Sequence, residues 1–231
     1  MATSDDGYSP VTFHRNKGEN VELTKRNTVA TRTKSSDYGI VFTSKPMVAG
    51  QMLKVTVTER EGVLGGMNIG FTGENPEDST LTQLGYLDWQ NKHKRLLRTF
   101  FSALHYKNER LCKLGFNTYD FVVGDSLGML LTLKKEVHWF VNDVWRGSVR
   151  VKDYPLDTPM WGVVDVNTQC KQVKAEICTV SKYNPKRRLS SREMGLVQDA
   201  RPRTQSMFSR MLRFGSTKSR DGVTKTVDSQ L

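Results

Sequence analysis

Cysteine is scarce in this 231-residue chain: Cys112, Cys170 and Cys178 are the full set. They form no Cys-x-x-Cys pair, so neither a zinc finger nor a thioredoxin-type centre is written in the sequence. Cys170 and Cys178 can in principle meet across a hairpin, but buried free thiols are the simpler expectation. No apolar run approaches the roughly 20 residues that a membrane-crossing helix needs. The opening MATSDDGYSP lacks the basic and apolar blocks of a secretory leader, so reduced cysteines and a cytoplasmic location are expected. Catalytic signatures are also missing: there is no phosphate-cradling glycine loop and no His-Glu-x-x-His. The histidines (His14, His93, His105 and His138) are dispersed, and His138 lies in an alternating stretch beside Trp139, where it reads as structural. Asp125, in a Gly-Asp-Ser turn, and Asp165, between two valines, read the same way. A buried Asp165 needs donors, and backbone amides are the expected ones. Neither an enzyme nor a cofactor is expected.

Acidic charge is short only locally. The net charge is +11, but residues 181–231 hold twelve Lys/Arg and four Asp/Glu, which leaves +3 for residues 1–180. A nucleic-acid-binding domain carries its basic stripe on the folded face, so any such binding here belongs to the tail and is nonspecific and salt-dependent.

What is present is alternation. Met129, Leu131 and Leu133, Val137, Trp139 and Val141, and Val173, Ala175 and Ile177 recur at every second position, the period of a pleated strand. Asn142-Asp143, flanked by Val141 and Val144, tolerates the positive φ of a two-residue hairpin turn. Residues 121–178 thus predict a pair of antiparallel hairpins, with either Trp139 or Phe140, but not both, facing the core. Upstream, short strands are expected at Val11–Phe13, Val21–Leu23, Thr28–Arg32, Ile40–Phe42, Leu53–Glu59 and Met67–Thr72. The last two are separated by a turn at Glu61-Gly62 and Gly65-Gly66. So many short strands imply an all-β antiparallel sandwich. Leu97, Phe100, Phe101 and Leu104 fit a short amphipathic helix, and equally a long loop packed across a sheet edge.

The chain divides into a loose N-terminus (1–10), a folded domain (11–180) and a disordered basic tail (181–231). The tail lacks the apolar content to repay ordering. It carries basophilic-kinase-like sites at Ser190 and Ser206. Met207, Phe208, Met211, Leu212 and Phe214 share one helical face, a candidate for peripheral contact with anionic membrane. Asp228-Ser229-Gln230-Leu231 matches a PDZ ligand, with Leu231 for the apolar pocket and Ser229 for the hydroxyl contact.

An ordered set of short motifs adds a resemblance. Phe13-His14, Gly18, Asn20-Val21, Gly39-Ile40-Val41-Phe42, Ile69-Gly70-Phe71-Thr72, Gly124-Asp125, His138-Trp139-Phe140-Val141-Asn142, Arg146-Gly147, Pro159-Met160-Trp161 and Val164-Asp165-Val166 stand in the order of a neuralized homology repeat. The resemblance spans roughly residues 11–180 and departs at Val63, at Asn167-Thr168 (where Tyr-Gly is usual) and over 80–120. It implies a jelly-roll, SPRY-like sandwich that recognises proteins. Relatives are often ubiquitin ligases, but a RING needs eight zinc ligands, and the chain's cysteines and histidines number seven. No cysteine follows Cys178 to serve a SOCS box.

The leading expectation is therefore a non-catalytic protein-interaction module that reads a peptide or protein with loop surfaces. The alternative is the substrate-receptor subunit of a ligase completed by a RING or cullin partner. A sugar-binding jelly roll, stacking on Trp89 or Trp145, is a further reading. The candidate partner-binding residues are Trp89, Lys94, Arg95, Arg98 and Trp145.

Overall fold

The computed structural model describes residues 8–34, 38–78, 96–107 and 109–179. Within them the chain runs as twelve strands. They are β1 (Tyr8–Pro10), β2 (Val21–Thr24), β3 (Val29–Arg32), β4 (Ile40–Phe42), β5 (Gln51–Thr72), β6 (Leu96–Phe100), β7 (Ala103–Tyr106), β8 (Glu109–Lys113), β9 (Ser126–Leu131), β10 (Glu136–Val141), β11 (Val144–Arg150) and β12 (Trp161–Thr179). Every recorded pairing is antiparallel.

Two strands organise the rest. β5 has 22 residues, which would reach about 70 Å if straight, well beyond the width of a domain of this size. It must bend. Its partner β12 bends beside it, with register shifts between Thr168 and Cys170, Cys170 and Gln172, and Gln172 and Val173. On β5 the pairing jumps from Arg60 to Gly65, and Gly62 takes a φ of 81° there. The expected turn at Glu61-Gly62 and Gly65-Gly66 is thus a bulge inside one continuous strand. A bulge accommodates glycine and extra residues while keeping the ladder on either side.

The bend yields two layers. In the first, β11-β10-β9 continue into the N-terminal half of β5, the C-terminal half of β12, then β3 and β2, with β1 also on β12. The second joins β4, the N-terminal half of β12 and the C-terminal half of β5 to β6, β7 and β8. Leu53, Val55, Val57, Leu127, Met129, Leu131, Val137 and Trp139 form one core with Val41, Met67, Ile69, Phe71, Leu97, Leu104, Val164 and Val166. The alternation that suggested strands therefore also selects the inner face.

Several expectations need correction. Residues 97–104 form neither a helix nor a loop. Phe101 adopts a φ of 52°, and Phe100 pairs with Ala103, so a two-residue turn closes the β6–β7 hairpin. That turn breaks the period of two, which is why Leu97, Phe100, Phe101 and Leu104 mimic helical spacing. β12 makes no hairpin with β11 and pairs with β5, β3, β4 and β1. Tyr8–Pro10, expected to be loose, form β1 against Glu176–Cys178, whereas the strand expected at Val11–Phe13 is reduced to an isolated bridge between Phe13 and Thr43. The rest of the expected N-terminal arm and the basic tail lie outside the described residues.

Trp139 and Phe140 are both buried, at 4% and 1% exposure. Trp139 joins the main core, while Phe140 joins Met52, Leu130 and Cys178 on the outer face of the first layer, with Tyr8 packed against them. Adjacent strand residues do point to opposite faces, but here both faces are covered. Burying a phenylalanine contributes about 1.5–3 kcal/mol, so the outer cluster matters to stability.

Candidate functional site

The turn expected at Asn142-Asp143 forms, with φ of 52° and 63°, and closes β10 onto β11 with Val141 opposite Val144. It is fastened on three sides. Asn142 donates through Nδ2 to Asp125 Oδ1 at 2.8 Å and accepts from the Ser126 amide at 2.8 Å. Asp143 accepts from the Tyr8 hydroxyl at 2.9 Å and pairs with Lys54 at 2.6 Å, with the Lys54 ammonium 4.5 Å from the Tyr8 ring centre. A turn held this way fixes the strand that leaves it, and that strand presents Trp145.

Trp145 is 45% exposed and lies opposite Phe140. Its indole N–H donates to His138 Nδ1 at 3.3 Å. His138 is itself buried, with Nε2 3.6 Å from Glu136. Desolvation holds the His138 pKa below the usual imidazole range, against the opposing pull of Glu136, so near neutral pH the ring offers Nδ1 as an acceptor. The indole is thereby locked in place with one face open to solvent, a platform suited to an apolar side chain.

Arg98, grouped with Trp145 at the sequence level, does not join it. It sits in β6 of the second layer at 5% exposure, with its guanidinium carbon 4.6 Å from the Phe100 ring centre. Leu97 takes the core-facing side of β6, so Arg98 points to the opposite face of the second layer and is buried there, which the helical reading of the segment could not register. Trp89, Lys94 and Arg95 lie outside the described residues, as do Ser190, Ser206, Phe208, Phe214, Ser229 and Leu231.

A second apolar surface lies in the 81–115 stretch, at a residue outside the candidate partner-binding set. Phe101, at the β6–β7 turn, is 41% exposed. It stacks on Tyr119 at 4.7 Å between ring centres and meets Phe100 edge-on at 4.5 Å. The signal was available in Phe100-Phe101-Ser102, where two aromatics precede a small residue at a hairpin tip.

Against the expectation that catalytic signatures, Gly-x-Ser-x-Gly among them, are missing, residues 124–128 spell Gly-Asp-Ser-Leu-Gly, the spacing of a hydrolase nucleophile elbow. That chemistry needs a strand-to-helix turn that exposes the serine. Here Ser126 is buried at the start of an antiparallel strand, and the Asp125 carboxylate accepts from the Val122 amide at 2.8 Å as well as from Asn142. The motif builds a turn. Asp165 is buried in β12, where Asn167 donates to it at 2.8 Å and Asn68 at 3.4 Å. Side-chain carboxamides supply these two bonds. Asn167, one of the departures from the neuralized pattern, is one of the donors.

Among the described residues no group of His, Cys, Asp and Glu is placed to hold a metal ion, and no helix is long and apolar enough to cross a membrane. A shallow recess of about 390 Å³ opens between Arg15, Lys17, Glu22, Asn27 and Thr33 over Val21 and Leu23. It has no aromatic wall on which a sugar ring could stack.

Comparison with known proteins places these features. The sequence model of the Neuralized family matches residues 13–176. Over 70 residues the chain is 43% identical to Protein neuralized of Drosophila melanogaster, a match covering 29% of this chain and 9% of that protein. Over 68 residues it is 35% identical to human Neuralized-like protein 2, covering 29% of this chain and 24% of that one. The matched segments thus span at most about a quarter of these relatives. The crystal structure of the Drosophila melanogaster neuralized-nhr1 domain superposes with a TM-score of 0.57 at 20% identity, covering 72% of this chain and 97% of that one. The SPRY domain of human HERC1 gives 0.53 at 14% identity, covering 73% and 98%. At these identities the structural matches speak for the fold, an antiparallel sandwich of the neuralized and SPRY type.

Proposed function

The chain belongs to the Neuralized family, and on that footing we propose that it is a non-catalytic module that recognises a peptide or folded protein partner. The observation that carries this reading is the family match over residues 13–176, which takes in nearly all of the described sandwich. Two apolar surfaces support it. Trp145, bonded to His138, and Phe101, stacked on Tyr119, keep aromatic rings exposed in fixed orientations. Fixed aromatic side chains serve as binding anchors because little conformational entropy is lost when a partner covers them.

The test is capture of partners from cell extract by the full chain, compared with Trp145→Ala and Phe101→Ala variants shown by circular dichroism to be folded. A specific partner lost with either substitution supports the module. Identical recoveries from wild type and both variants would remove the two surfaces from the reading. A RING or cullin component among the captured proteins would extend it to the receptor subunit of a ligase assembled in trans.

A further inference from the structure

Sandwiches end in edge strands, and an open edge is a template for another strand. Of the strands that end the described sheets, β1 and β4 have three residues each, β2 has four, β8 has five and β11 has seven. β11 pairs with β10 on one side, and no described residue pairs with the other. Its register shows which backbone groups are free. Val151 N–H donates to Lys135 C=O at 2.8 Å, and Val149 stands opposite Val137. Groups that bond inward recur at every second residue of an antiparallel pair, so Ser148 and Arg150 turn their N–H and C=O outward.

The side chains along this edge are chemically biased. Trp145, Arg146, Ser148 and Arg150 are all exposed, and Lys152 follows. No ion pair among the described residues engages Arg146 or Arg150. Of the nearby acidic residues, Asp143 is already held by Lys54 and Tyr8, and Glu136, opposite Arg150 on β10, lies 3.6 Å from His138. The open edge is therefore cationic, with a fixed indole at one end. A second copy is a poor occupant: antiparallel pairing about Ser148 would bring Arg150 of each chain beside the bulge that carries Arg146 of the other, and like charges brought together across a ladder destabilise it.

We propose that the outer edge of β11 takes an extended acidic segment of a protein partner as an added strand. The partner's backbone bonds to Ser148 and Arg150, its carboxylates meet Arg146 and Arg150, and an apolar side chain covers Trp145. This inference rests on the interaction-module reading and adds to it a surface and a class of partner.

The experiment uses the full chain and three fluorescein-labelled hexapeptides: alternating Glu/Val, alternating Lys/Val, and the Glu/Val peptide N-methylated at every second amide. Binding is followed by anisotropy and by amide and indole NMR shifts. The Glu/Val peptide is expected to shift the Ser148 and Arg150 amides and the Trp145 indole. At least tenfold weaker binding is expected for the Lys/Val and N-methylated peptides, and on raising the salt. Ser148→Pro, which removes one outward donor on an edge strand that tolerates proline, should abolish binding. Arg146→Glu with Arg150→Glu should invert the preference towards Lys/Val.

Binding indifferent to N-methylation and to both variants overturns the proposal, as does shift mapping to another surface or self-association through β11. If Ser148→Pro still captures the partner found in extract, the edge is not its site while the module stands. If wild type captures nothing yet the Glu/Val peptide seats on β11, the edge chemistry holds and the module reading falls.

Discussion

The Trp139 indole occupies the space above Gly147 that any larger residue would need. The two are cross-strand partners in β10 and β11, and a Cβ built on Gly147 would lie 2.6 Å from Trp139 Cζ2. The pairing shifts register immediately after this pair, between Trp139 and Phe140. Gly147→Ala is therefore expected to destabilise the fold by about 1–3 kcal/mol, the usual range for overpacking a core. Urea unfolding followed by circular dichroism checks this. An unchanged midpoint would show that the indole can move aside freely.

Burial on both faces of β10 sets a second expectation. Trp139→Ala and Phe140→Ala should each cost about 3–5 kcal/mol, because each empties a filled site, one in the main core and one in the outer cluster. A loss for Trp139→Ala alone would mean that the cluster of Met52, Leu130, Phe140 and Cys178 contributes little.

His138 gives a pH dependence of defined sign. Burial lowers its folded pKa below the ordinary value of about 6.5, so the unfolded chain takes up the proton first. Its contribution to stability is full above that pH and declines as pH falls towards the folded pKa. Protonation also removes the Nδ1 acceptor of the Trp145 indole. His138→Gln should flatten the acid limb of the stability curve below about pH 6.5. In wild type the Trp145 indole N–H resonance should titrate with the ring. An indole signal that stays constant through the His138 titration would rule out the coupling.

The cysteines should remain free thiols of graded reactivity. Cys170 and Cys178 share strand β12, and burial pushes the Cys170 thiol up to about 12. Cys112, half-buried and with its pKa also raised by burial, is the most accessible of the set. A thiol reagent should label Cys112 first and Cys170 only on unfolding. Labelling of Cys170 at the Cys112 rate in native buffer would place Cys170 near the surface.

Gly128 sets a comparable constraint within the first layer. A Cβ there would come 3.1 Å from Met52 Sδ and 3.3 Å from Phe140 Cβ. Gly128→Val should disturb the outer cluster and lower the urea midpoint, whereas Ser148→Ala on the open edge should leave it within about 0.5 kcal/mol. Equal midpoints for the two variants would show that the outer face is loosely packed.

The sequence by itself determined the strands whose pattern is local. Ile40–Phe42 match β4, Val21–Leu23 fall within β2, and the Asn142-Asp143 turn closes β10 on β11, because period-two alternation and positive-φ residues act within a few positions. It also supplied the family, through short motifs in a fixed order. Where contacts are distant, local pattern was silent or misleading. The bend of β5 at Gly62 depends on β12 bending beside it, more than 100 residues away in the chain. The hairpin of Leu96–Phe100 with Ala103–Tyr106 forms because Gly70–Thr72 offer a strand edge, although the apolar spacing of that segment suits a helix as well. Tertiary structure likewise decided that Arg98 is buried while Trp145 is held open beside His138, and that Phe140 lies beneath a covered outer face. Exposure depends on what packs above a residue, and alternation along one strand records only which way the residue points.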